Sequence, residues 1–244
     1  MLISIAILFE SDPLLGAVDL LSVFVPTMFL TAVFGLISTK TKSVRWPMCA
    51  AFIIWTIGLI GQATVEPNQR SKFLGFGVLV GIGLAGPLSL ILAAVHLSVP
   101  KQILATASAA VVSSRSLGAT IFVAAYAAAV GNRLASYIPR YVADAVLVLG
   151  LPPTSLGPLL ADLAAQNVEG LSSIPGVTPQ IIEAAVRALD QAYADGIRIV
   201  WIIAAVIGAL AAVLVPLLKD LKDKMDYIVD APVEELHEKH HDAE

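Results

Sequence analysis

Arg115 stands as the lone charge in an otherwise uncharged run, residues 104–131, with Ser113, Ser114, Ser116 and Thr120 close by in the chain. A guanidinium in so apolar a helix faces an interior cavity, a carboxylate or bare backbone carbonyls. Two roles follow. Arg115 is a substrate-path or gating residue with Ser113 and Ser114 beside it, or it is one half of a structural pair. Asp19 is the other charge lying well inside an apolar run. It is a candidate partner for Arg115, or a second residue on the same path. His96 lies near the end of another such run. There, titration near neutral pH and a plain interfacial position are both open. Arg198 begins the last run and reads as a side chain that snorkels outward.

Gly81-Ile-Gly83-Leu-Ala-Gly86 matches a dinucleotide fingerprint. That fingerprint needs a strand before it, a helix after it and an acid about 20 residues on. These glycines lie inside an uncharged 25-residue run, 73–97, with no acid downstream at that distance. They read instead as helix-packing residues. Gly77 and Gly81 form a small-x-x-x-small pair that lets backbones approach, and Gly86-Pro87 marks a kink. His237, His240 and His241 could share a helix face and a metal, but acids surround them and the reading favours a solvated tail without a metal. No nucleophile elbow, H-E-x-x-H or phosphate loop occurs, so no catalytic residue and no cofactor is assigned. Cys49 is the single cysteine, which excludes an intramolecular disulfide.

The elements that carry these residues announce themselves by composition. Of 244 residues, 57% are hydrophobic and 14% charged, and the mean hydropathy is +0.84. Ordinary soluble domains are about 25% charged. The formal charge of −4 offers no basic face, so nucleic acid is not a partner. Five apolar runs, 14–37, 47–65, 73–97, 104–131 and 197–218, contain only Asp19, Arg115 and Arg198 as charges. About 20 helical residues span a bilayer core. The fold class is therefore all-α, a polytopic membrane protein whose partner is the lipid bilayer.

Lys40, Lys42, Arg45, Lys101, Lys219, Lys222 and Lys224 lie near one set of span ends, and Arg70, Lys72, Arg133 and Arg198 near the other. Seven against four places the first set in the cytoplasm, together with the C-terminal tail, 219–244. Residues 132–196 are then an extracellular loop. Stretches 143–149, 155–165 and 179–194 read as short amphipathic helices within it, forming a lid that rests on the membrane surface or the bundle rim. Thr178 and Pro179 suit the cap and first position of the third. Residues 1–9 are apolar but cover only about half a bilayer core. They read as the truncated end of a preceding helix, with 10–13 as a short outer loop.

The run LSVPKQILATASAAVVSSRSLGATIFVAAYAAAVGNRLASYIPRYV resembles the penultimate span of fungal fourteen-helix transporters of the major facilitator superfamily. The nearest type is the trichothecene efflux pump and siderophore-iron transporter. GLPPTSLGPLLADL, SIPGVTPQIIEAAVRALDQAYADGIRIVW and KDLKDKMDYIVDAPVEEL resemble the loop, final helix and tail that follow. Ala119 and Phe122 depart from the family pattern, which has glycine there.

The resemblance implies the C-terminal helical bundle of a major-facilitator-type fold, with the five spans as helices ten to fourteen. It implies a plasma-membrane secondary transporter that moves a small organic molecule, a drug, toxin or siderophore, with a proton as coupling ion. It also implies that a missing N-terminal half is needed for function. Arg115 is the residue it carries over. The alternative reading is a non-transporting membrane remnant or scaffold.

Overall fold

The computed structural model describes residues 13–67, 69–164, 168–218, 221, 222 and 225. Residues 1–9 and the three tail histidines lie outside the described residues. Among those described there is no strand. The helices are α1 (Pro13–Thr41), α2 (Arg45–Ala63), α3 (Arg70–Ser98), α4 (Leu104–Leu147), α5 (Leu156–Ala164), α6 (Val168–Ser173) and α7 (Pro179–Leu214). Five of them, α1 to α4 and α7, are long and apolar enough to cross a membrane.

The long helices are not arranged in chain order. α3 packs along both α1 and α2, α2 packs along α7, and α7 packs along α4. Glycine is the reason α3 can sit between two neighbours. A Cβ on Gly81 would lie 2.3 Å from the Val23 carbonyl oxygen of α1, and one on Gly86 would lie 2.3 Å from Ala51 Cβ of α2. Gly77 is buried on the same helix. Thr27 exploits the first approach, its hydroxyl 2.9 Å from the Gly81 carbonyl oxygen and 2.7 Å from that of Val23. Pro87 removes one donor from α3, and Pro26 removes one from α1. Apolar side chains fill the space between these backbones. Val23, Leu59, Val80 and Ala205 make a central layer, with Trp55 and Trp201 against it. Phe34, Met48, Ala85, Leu90 and Val215 belong to a layer nearer the ends of α1 and α7.

The end of the bundle that carries the final segment of the chain is the tail end, and the opposite end is the cap end. Two helices extend far past the others at the cap end. α4 runs 44 residues and α7 runs 36. At 1.5 Å per residue α4 is about 66 Å long, twice a bilayer core. The stretch 143–149, expected as a separate short helix, continues α4 to Leu147, and 179–194 is the start of one unbroken α7. Asn132 and Arg133 end the apolar composition, not the helix, because nothing there stops hydrogen bonding. Gly150, at φ +89°, stops α4. The amides of Gly150 and Leu151 turn back to the carbonyls of Leu147 and Val146, at 3.1 and 3.2 Å. Thr178 caps α7, its hydroxyl oxygen accepting from the Ile181 amide at 3.4 Å, with Pro179 in the first turn.

Between these two extensions α5 and α6 fold back, and the cap gains its own core. Val142 and Val146 of α4, Leu159 and Leu163 of α5, Leu171 of α6, and Ile181 and Ala185 of α7 are buried together. The short helices α5 and α6 are thus packed on the extensions of α4 and α7.

Candidate functional site

Asp19 sits in the second turn of α1, facing the first residue of α3. Arg70 donates from Nε to Oδ2 at 3.0 Å and from Nη2 to Oδ1 at 2.8 Å, a two-pronged ion pair. The pairing of Asp19 with Arg115 left open by the sequence is not formed. α1 runs beside α3, whereas α4 packs along α7, so Arg70 is the cation that reaches Asp19.

Arg115 is exposed, and no carboxylate pairs with it among the described residues. Its neighbours in sequence are not its neighbours in space. Successive helical residues turn about 100°, so Ser114 and Ser116 diverge from it to either side. Ser114, Ser116 and Thr120 donate to carbonyls of their own helix, those of Val111, Val112 and Ser116, at 2.9, 3.1 and 3.0 Å. Of the residues three or four positions from Arg115, Val111 and Gly118 lie on its partly covered side, while Val112 and Ala119, on its other side, are exposed. Ser108 and Tyr126 continue the partly covered side. It is the side of α4 turned toward the other helices.

Yet none of the most apolar stretch of α4 is buried. α4 is attached near its two ends. Toward the tail end, His96 Nε2 lies 2.8 Å from Ser108 Oγ. Toward the cap, Leu134 packs on Gly196 so closely that a Cβ there would lie 2.7 Å from it. Arg115 lies about 10 Å along the axis from Ser108, on an unfilled side of the helix.

Polar contacts link the helices one to the next at the cap end. Asp19–Arg70 joins α1 to α3. Gln62 of α2 donates to the Phe73 carbonyl of α3 at 2.9 Å. One carboxylate oxygen of Asp195, on α7, receives the Tyr141 hydroxyl of α4 at 3.1 Å and the Gln191 amide at 3.2 Å. The other oxygen lies 2.9 Å from Arg198 Nη1. Tyr141 stacks flat on Tyr137, centroids 5.5 Å apart, and Arg133 bonds the Tyr137 hydroxyl. Sequence reasoning singled out none of Arg70, Gln62, Tyr141 or Asp195 as contact residues. The four-residue spacing of Tyr137 and Tyr141 was the available signal. At the tail end, Arg45 donates to the carbonyls of Pro216 and Leu218 at 3.3 and 3.4 Å, where a helix end favours a cation.

Among the grooves between these helices, two lie along the bundle. One, about 670 Å³, lies between α2 and α7 and is lined mainly by apolar residues, among them Ile60, Ile202 and Val206. The other, about 530 Å³, lies at the tail end between α1 and α3 and includes Ser38, Thr39, Ser89 and His96. No group of three or more metal-ligating side chains occurs among the described residues.

The family model described as fungal trichothecene efflux pump matches residues 10–243. The chain belongs to that family. It is 21% identical over 189 residues to the trichothecene efflux pump of Fusarium sporotrichioides, covering 78% of this chain and 32% of that protein. It is 25% identical over 206 residues to an MFS-type transporter of Penicillium rubens, covering 84% of this chain and 36% of the relative. It is 27% identical over 192 residues to an uncharacterized transporter of Schizosaccharomyces pombe, covering 78% and 28%. The chain thus spans about a third of the length of the curated relatives it matches. No solved structure matches it.

Proposed function

We propose, taking membership of the family as the premise, that this integral membrane chain works as one half of a secondary transporter for a small organic molecule. A proton gradient drives the flux, and the site is completed by a second half. The relatives named as an efflux pump and an MFS-type transporter support the class of activity. The observation that carries the reading is Arg115, a cation well inside an apolar run, bordering the face of α4 turned toward the other helices and without a neutralising carboxylate among the described residues. Substrate sites of secondary transporters lie near the bilayer midplane, between two repeats. A helix attached near its ends, with a charge on its unfilled side, suits a wall of such a site. Ser113 and Ser114 stand two and one residues from Arg115 on other faces of α4, so their part in the path is secondary. Asp19 serves the path indirectly, by fixing α1 against α3.

We take the membrane to be the plasma membrane, and the charge asymmetry supports an orientation with the cap outside and the tail in the cytoplasm. The test is uptake and efflux of a fluorescent drug in a yeast host lacking its own pumps. The chain is expressed alone, and then with the N-terminal half of the Penicillium rubens relative as a separate polypeptide. Insertion without flux is expected from the chain alone, and gradient-dependent flux from the pair. Arg115→Ala in the pair is expected to abolish most flux at unchanged abundance. Normal flux in Arg115→Ala would remove that residue from the path. Saturable flux from the chain alone would remove the need for a second half, and no flux from either would favour a membrane scaffold.

A further inference from the structure

Among the described residues, the groove between α1 and α3 at the tail end offers mainly hydrogen-bond acceptors. The Ser38 hydroxyl donates to the Ser43 carbonyl at 3.1 Å, and the Thr39 hydroxyl to that of Gly35 at 2.9 Å. The Ser89 hydroxyl donates to the carbonyls of Ala85 and Gly86, at 3.1 and 3.3 Å. A hydroxyl carries one proton and two lone pairs, so each of these has only lone pairs left to offer.

His96 adds a further acceptor. Ser108 donates its proton to the Leu104 carbonyl at 2.9 Å, so it can only accept from His96 Nε2, 2.8 Å away. Nε2 therefore carries a hydrogen, and in the tautomer with its one hydrogen there Nδ1 is an acceptor. Among the described residues, no Lys, Arg, Asp or Glu lines the groove, and Leu90 and Met225 supply apolar wall. Its volume of about 530 Å³ suits a small organic ligand.

We propose that this groove binds an amphipathic amine, its N–H donors on the ring of acceptors and its apolar body against Leu90 and Met225. As the described groups are bonded, none of them is left to donate to a carboxylate. As the place where substrate enters from the tail side, the groove rests on the transporter reading; as a binding site it does not.

The experiment measures equilibrium binding by fluorescence anisotropy on the full chain in detergent micelles, with empty micelles as blank. Rhodamine 123, a cationic xanthene with amino groups, is compared with fluorescein, an anionic xanthene. Saturable binding of rhodamine 123, about tenfold or more tighter than fluorescein, is expected from the hydrogen bonds it alone can donate. An ideal Cβ at Gly35 meets nothing within 4 Å, so Gly35→Leu fills the groove without forcing the backbone. It is expected to weaken rhodamine binding by about tenfold. Ser89→Ala removes one acceptor and is expected to weaken it about threefold or more. Thermal melts followed by circular dichroism check folding, and if Gly35→Leu does not fold, Ser89→Ala decides.

Absence of saturable rhodamine binding, equal binding of the two dyes, or unchanged affinity in the folded variants would overturn the proposal. Dye binding with no flux from the paired halves would end the transporter reading and leave the site standing. Flux together with dye affinity indifferent to Gly35→Leu would do the reverse.

Discussion

The ion pair between Asp19 and Arg70 is unequal, and that inequality predicts which partner is more dangerous to remove. The Asp19 side chain keeps 7% of its accessible surface and the Arg70 side chain keeps 42%. Two charges 4 Å apart attract by about 4 kcal/mol at an effective dielectric constant near 20, before desolvation is subtracted. Arg70→Ala leaves a carboxylate enclosed between α1 and α3 with its main counter-charge gone. Breaking a fully buried pair costs about 3–5 kcal/mol, and the half-exposed guanidinium lowers that to about 2–4 kcal/mol. Asp19→Ala leaves a guanidinium that can turn into water, and should cost only about 1 kcal/mol. The double variant should be less damaged than Arg70→Ala alone. The assay is a double-mutant cycle on the purified chain in mixed micelles, unfolded with rising SDS and followed by circular dichroism. Each 1.4 kcal/mol is a factor of about ten in the folding equilibrium. Greater damage from Asp19→Ala than from Arg70→Ala, or simple additivity in the double variant, would refute the reasoning.

Glycines on α3 should divide sharply in the same assay. Gly81→Ala drives a Cβ to 2.3 Å from the Val23 carbonyl and should destabilise by about 2 kcal/mol or more, whereas Gly75→Ala meets open space and should gain about 0.5–1 kcal/mol. Tyr141→Phe removes the hydroxyl from Asp195 but keeps the ring on Tyr137; a loss of about 0.5–1.5 kcal/mol and faster tryptic cleavage at Arg187 are expected, and an unchanged cleavage rate would show that this bond does not hold the cap. For topology, single cysteines in a Cys49→Ser background would be probed on intact cells with an impermeant thiol reagent. Thr154→Cys should label and Lys40→Cys should not, and the opposite pattern would invert the orientation.

The long helices were legible because an uncharged apolar run as long as a bilayer is thick is seldom found in a soluble helix, which needs a polar face toward water. Where each helix ends was not legible at the cap. The signals that mark a membrane boundary, Asn132 and Arg133, carry no instruction to the backbone, and α4 continues until Gly150 supplies a left-handed turn. The close approaches at Gly81 and Gly86 were readable as residue types, but the partners that meet them, Val23 and Ala51, depend on α3 lying between α1 and α2. Asp19 was visible as a costly charge, and its partner was not. Arg70 reads as one more cation at a span end, since a residue at the first turn of a helix looks like a loop residue until the helix beside it is known. The hydroxyls around Arg115 illustrate a different limit. Adjacency in sequence suggests one hydrophilic stripe, and helical geometry scatters them over several faces.

The Asp19–Arg70 pair also sets an order of events during synthesis. The two residues are 51 positions apart. At about 5–20 residues per second, Asp19 leaves the ribosome some 3–10 s before Arg70 does. Throughout that interval α1 is a long apolar helix carrying a carboxylate whose guanidinium does not yet exist. An acid at the centre of a spanning helix opposes partition into lipid by about 2.5–3.5 kcal/mol, and Asp19 lies nearer an end, where the opposition is smaller. Release of α1 into lipid is therefore easiest after α3 has begun to emerge, with α2 already made between them. α1 would wait beside the translocation channel for α3, and the pair would set its release.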